Sequence, residues 1–274
     1  MPTIAATPWT STVDAHGSFH ATSPADGATI SYAIGSGACS VSPSGVVTAT
    51  APTTCVVNAS APTDYANGYG AATGTTTITF GLGNRSITAT ASNVTPTVGL
   101  SVTVSVASGY LGTGAITYAL TPASQGTCSF NATTKVLTDA APEACVVTAT
   151  IAADSNYLSV SNAVTVNFQL QSRTLSISSS ANSVVYGNAI TLTATPSNGT
   201  GTKSFSLSHA TGTNSDVSCT ITDNSVSATA PATCYVYASI TADGTYAAVN
   251  SAIKTLTFTK TSRTASITVD GSST

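Results

Sequence analysis

The chain has 274 residues, of which 42% are hydrophobic, 6% aromatic and only 6% charged, and Thr and Ser make up roughly a third of it. Seven cations against ten acids give a net charge of −3, too few positive side chains to build a phosphate-binding patch, which excludes nucleic acid as a partner. Lys, Glu and Leu, which fill surface helices, are scarce, and the abundance of Thr and Val favours strands.

Met1 to His20 has neither Lys nor Arg and no continuous apolar run, so it lacks the pattern of a secretory signal peptide. No stretch approaches the roughly 20 apolar residues needed for a membrane span. Trp9, the only tryptophan, lies here, as do Asp14, His16 and His20. In an extended segment the two histidines would stand about 13 Å apart, so they are expected in a surface loop without a metal. Next come a turn at Pro24-Ala25-Asp26-Gly27, Cys39, and a second turn at Ser42-Pro43-Ser44-Gly45. Cys55, Val57, Ala59 and Ala61 then alternate with Asn58 and Ser60, which predicts a strand with its cysteine facing inward. Asp64 and Tyr69 follow in a polar loop, Ile78 and Phe80 in a closing strand, and Arg85 opens the next unit.

The same succession recurs twice. Cys39, Cys128 and Cys219 are spaced by 89 and 91 positions, and Cys55, Cys145 and Cys234 by 90 and 89. Nine positions after each second cysteine stands Asp64, Asp154 or Asp243, followed by Tyr69, Tyr157 or Tyr246 and then by Phe80, Phe168 or Phe258. All three arginines, Arg85, Arg173 and Arg263, share one place in the period. The predicted modules are therefore 1–83, 84–171 and 172–260, with 261–274 repeating the first strand of a module. About seven short strands per 90 residues, with turns between them and no helical periodicity, predict an all-β chain of three tandem immunoglobulin-like sandwiches in an extended rod.

Six cysteines allow 15 pairings, and the repeat singles out Cys39–Cys55, Cys128–Cys145 and Cys219–Cys234. Closing a loop of about 16 residues is worth roughly 3 kcal/mol in the chain-entropy model, a useful staple for a small domain. A zinc site is the weaker alternative, since no CxxC occurs. Disulfides also point to an oxidising, extracellular or cell-surface destination.

Cys39 to Thr50, followed by Thr54 to Ser60, and the second copy ending Ala144 to Tyr157, resemble bacterial Ig-like (Big) repeats. The resemblance covers essentially the whole chain. It implies a stalk, fibre or adhesion role in a large bacterial surface protein, and no catalytic residues. The first unit departs from the pattern at Met1 to Thr12, where the Arg is missing.

With three histidines and scattered acids, no catalytic arrangement, metal site or cofactor is expected. Calcium would want several carboxylates together, so each recurrent Asp is expected to cap its loop and the following Tyr to tie that loop down. The arginines are read as junction residues whose donor fork bonds neighbouring loop carbonyls. Tyr235 and Tyr237, on the outer face of their strand, and Trp9 are candidates for a contact patch for surface glycan or protein. Ala265, Ile267 and Val269 alternate along 261–274, which has no core of its own; it begins a further module or adds as a donor strand to another copy, with the first module as acceptor. Expected partners are other copies of the chain or adjacent Ig-like modules.

Overall fold

The protein is described by a computed structural model covering residues 9–13, 17–18, 21, 29–124 and 126–267. Among these residues the regular structure is strand throughout, apart from one 3₁₀ turn at Pro122–Ser124. No helix is long and apolar enough to cross a membrane. The chain divides into two compact units, one of residues 1–94, 102–137 and 145–166 and the other of 95–101, 138–144 and 167–274.

In the second unit two sheets face each other. One runs in the order Leu175–Ser179, Ala189–Pro196, Ser225–Ala228, Cys219–Thr222; the other runs Ser183–Val185, Lys254–Thr259, Ala232–Ile240, Lys203–Leu207. Alternation supplies the core between them. Ile190, Leu192, Val226 and Ala228 from one sheet meet Cys234, Val236, Leu256 and Phe258 from the other, while Thr and Ser at the intervening positions face outward. Cys219 and Cys234 join the two sheets by a disulfide, Cα to Cα 5.9 Å. This is an immunoglobulin-like β-sandwich.

The first unit uses the same strand order. Trp9–Thr12, Ala72–Gly81, Thr53–Ala61 and Ser31–Ser36 form one sheet, and Gly17–Ser18, Val46–Thr48 and Ser40–Val41 form its partner. Val47, Cys55, Val57, Ile78 and Phe80 fill the space between, with Cys39 and Val41 packed against them. Further along, Ala89–Ala91, Val102–Val106, Val136–Asp139 and Cys128–Asn131 repeat the disulfide-bearing sheet, and Ile116–Leu120, Ala144–Ile151 and Val160–Asn167 its counterpart. Cys39 is bonded to Cys55 and Cys128 to Cys145.

Among the described residues the ladders are antiparallel with one recurring exception. Trp9–Thr12 runs parallel to Ala72–Gly81, pairing Trp9 with Ile78 and Ser11 with Phe80, and Ser183–Val185 runs parallel to Lys254–Thr259, pairing Val184 with Phe258. A parallel pair cannot be joined by a tight hairpin, and in both cases most strands of the sandwich lie between its two members in sequence.

Candidate functional site

The recurrent charged residues converge. Arg85 follows the closing strand of the first repeat and opens the second, where Ile87 and Ala89 are buried and the guanidinium meets loops of that second repeat. Its Nη1 donates to Asp154 Oδ2 at 2.7 Å and to Leu111 O at 3.1 Å, its Nε donates to Leu158 O at 2.9 Å, and its Nη2 donates to Ala152 O. Arg173 does the same one period later. Nη1 donates to Asp243 Oδ2 at 2.9 Å and to Asn198 O at 3.3 Å, Nε to Ala247 O at 2.9 Å, and Nη2 to Thr241 O. Both arginine side chains are 0% exposed. Each guanidinium also lies over a tyrosine ring, Arg85 above Tyr157 at 5.8 Å and Arg173 above Tyr246 at 5.9 Å.

Each aspartate serves two loops at once. Asp154 Oδ1 accepts the amides of Asn156 and Tyr157, and Oδ2 those of Thr113 and Gly114. Asp243 Oδ1 accepts from Thr245 and Tyr246, and Oδ2 from Thr200. Several donors favour the charged form, so the acidity rises. The amide of Asn156, then those of Thr113 and Tyr157 and the Arg85 guanidinium, hold Asp154 well below the usual carboxylate range. The amides of Thr245 and Tyr246, then that of Thr200 and the charge of Arg173, lower Asp243 to about 2.

Gly112 and Gly199 make room for this arrangement. Both have positive φ, +84° and +82°, and a Cβ at either would run into the carboxylate and the guanidinium of its own pair. The segment before each arginine is tied in as well. Gly83 bridges Tyr157, donating to Asn156 O at 2.7 Å and accepting from Leu158 N at 3.0 Å. Gln171 bridges Tyr246, donating to Thr245 O at 2.8 Å and accepting from Ala247 N at 2.9 Å. Gln171 Nε2 also reaches Val98 O at 2.9 Å.

The first copy of the loop has the same turn without the arginine. Asp64 Oδ1 accepts from Ala66 and Asn67 at 3.1 and 3.2 Å, while Oδ2 is taken by the Asn67 side-chain amide at 2.8 Å. These bonds, the Asn67 side chain first, hold the Asp64 carboxyl below its ordinary range. Tyr65 and Tyr69 are exposed, Tyr65 at 91%.

Arg and Asp, read separately from sequence as a junction and a loop cap, are thus one assembly. The signal was present, since Arg85 to Asp154 and Arg173 to Asp243 are separated by 69 and 70 positions. Gly112 was missed and Gly199 is legible only as a turn residue, because the Asp and Arg that would meet a Cβ there are distant in sequence. Arg263 is exposed, and so are Ala265 and Ile267; no ladder holds 261–267 among the described residues. Val269 lies outside the described residues, as do Asp14, His16 and His20. Trp9 pairs through its backbone with Ile78, and its side chain lies outside the described residues. Tyr235 and Tyr237 are half-buried rather than open. Their strand is central, and Ser215, from the short hairpin that follows Ser208, brackets Tyr235 with hydrogen bonds to its N and O at 2.9 and 2.8 Å.

No protein-family model matches the sequence, and no curated protein matches it. Among solved structures, Drosophila N-cadherin EC1-4 is similar at 13% identity and a TM-score of 0.29, over 95% of this chain and 75% of that one. The Escherichia coli adhesin FdeC is similar at 14% identity and a TM-score of 0.27, over 95% of this chain and 96% of that one. A SusE-like surface located polysaccharide binding protein from Bacteroides thetaiotaomicron is similar at 11% identity and a TM-score of 0.24, over 93% of this chain and 61% of that one.

Proposed function

We propose that the chain is a non-enzymatic structural segment of a stalk or fibre at a bacterial cell surface, made of three modules at 1–83, 84–171 and 172–260 of the bacterial Ig-like kind and joining other copies head to tail through its C-terminal strand. The observation that carries this reading is the Arg–Asp–Tyr latch. Two of the three recurrent arginines bond groups of their own chain, Arg85 with Asp154 and Arg173 with Asp243. A periodic charge spent on loop carbonyls and amides serves cohesion rather than a ligand. The bridges of Gly83 and Gln171 extend each latch to the boundary before it, which suits a segment that transmits tension. Three disulfides support an oxidising, extracellular setting.

Glycan-array and cell-binding measurements on the purified chain test the reading. A structural segment gives no saturable capture. Saturable capture abolished by Tyr235→Ala or Tyr237→Ala would establish an adhesin-type binding module for glycan or protein instead.

A further inference from the structure

We propose that a cleft in the third repeat binds a small zwitterion, its primary ammonium held by Phe205 and Asp223 and its carboxylate or similar anion held by Lys203. The site lies outside the latches and does not depend on the stalk or fibre role.

The cleft runs along one side of the sandwich, where the edge strands Lys203–Leu207 and Cys219–Thr222 of the two sheets lie against each other. Its volume is about 380 Å³, and Lys203, Ser204, Phe205, Ile221, Asp223 and Asn224 line it. A ligand of amino-acid size fits such a volume. Phe205 and Ile221 are half-buried and pack on the core, so the floor is apolar and held in place. The rim is charged and uncommitted. Lys203 and Asp223 are exposed, and neither side chain has a hydrogen bond or ion pair among the described residues.

The repeats identify the cationic end of the occupant. An aromatic ring recurs opposite the alanine four positions after each second cysteine: Tyr32 pairs with Ala59, Tyr118 with Ala149 and Phe205 with Ala238. The Tyr32 hydroxyl accepts from Ala21 N at 3.3 Å. Tyr118 carries the Lys135 ammonium over its face, 5.4 Å from the ring centroid. Phe205 has neither cover. It lacks the hydroxyl, and Asn224 takes the place of Lys135, ten positions before the second cysteine of its repeat. Asn224 turns its amide to Leu192 O at 3.4 Å instead, and no cation of the chain lies over Phe205 among the described residues. A ligand ammonium therefore takes the seat that a lysine fills one repeat earlier.

Two charges that do not recur complete the site. Ile116 pairs with Ile151 where the third repeat pairs Lys203 with Ile240, and Thr134 stands where it has Asp223. The latch charges hold loops together, whereas Lys203 and Asp223 stand only beside the bare ring. A ligand that carries both signs complements both side chains. A simple cation meets the repulsion of Lys203, and a simple anion that of Asp223.

Ligand-observed NMR titration of the full chain with ε-aminocaproate and γ-aminobutyrate tests this. The expected result is saturable binding of at least one of them with a Kd of about 1 mM or tighter, and hexylammonium and caproate each bound about tenfold more weakly. Asp223→Asn removes the charge and keeps a residue that accepts a φ of 52°. Lys203→Gln alters an exposed side chain. Each should weaken binding about tenfold. Asn224→Lys puts an amine of the chain itself into the cleft and should abolish binding, whereas Lys135→Gln, in the other repeat, should leave it unchanged. The absence of saturation for both zwitterions by about 30 mM overturns the proposal. So does binding by Asp223→Asn and Asn224→Lys chains as tight as that of the wild type, or binding of hexylammonium as tight as that of ε-aminocaproate.

Discussion

Replacing Arg173 by Ala tests whether the latch holds the fold or merely decorates it. The guanidinium has no exposed surface, and besides Asp243 it satisfies the carbonyls of Asn198, Thr241 and Ala247. A net contribution of about 1 kcal/mol per carbonyl bond, with the stacking on Tyr246 adding somewhat less than that, gives a loss of about 3 kcal/mol before the carboxylate is counted. For a unit of roughly 90 residues this corresponds to a fall in melting temperature of about 12 °C or more. Calorimetry of the full chain at neutral pH reads it as a downward shift of the transition of the part that holds Arg173. Arg263→Ala is the control, since Arg263 is exposed and makes no hydrogen bond or ion pair among the described residues, and its loss should stay within about 0.5 kcal/mol. A shift below about 3 °C for Arg173→Ala, or equal shifts for the two substitutions, would refute the reasoning.

Acid should unlock the same site: Asp243 falls from an ordinary 3.8 to about 2 on folding, so its contribution is fully present above pH 4 and lost as pH drops from about 4 towards 2. Melting temperature against pH should therefore fall over that window, and Asp243→Asn should flatten the fall. Gly199→Ala puts a Cβ into the Asp243–Arg173 pair at positive φ and should cost more than about 2 kcal/mol, whereas Gly187→Ala, also at positive φ but facing open space, should cost about 1 kcal/mol in denaturant titration. Removing Cys128 and Cys145 together, as Cys128→Ser with Cys145→Ser, frees a loop of 17 residues and should destabilise by about 3 kcal/mol in the same titration.

Much of the fold is written locally. Alternation at Cys145, Val147, Ala149 and Ile151 tells which side of the strand is buried, and the structure buries all four. The cysteine period pairs Cys128 with Cys145, and the same two are joined. What local pattern does not convey is which distant element comes to lie against a given face. Alternation places Tyr235 and Tyr237 opposite the core but is silent about the hairpin at His209–Asn214 beside them, which has no counterpart in the period. Arg173 and Asp243 are 70 positions apart, and only the folded sandwich brings their loops to one end. Gly199 is legible as a turn residue, but its deeper constraint is set by those two partners. The parallel pairing of Trp9–Thr12 with Ala72–Gly81 is likewise hidden, since two short runs at opposite ends of a repeat carry no mark of their register.

Electron micrographs of the native material test the structural role most directly. The account predicts linear filaments or stalks with a regular axial repeat, made of chains that bind one another. Discrete particles decorated with a glycan or a foreign protein, with no linear assemblies, would contradict it.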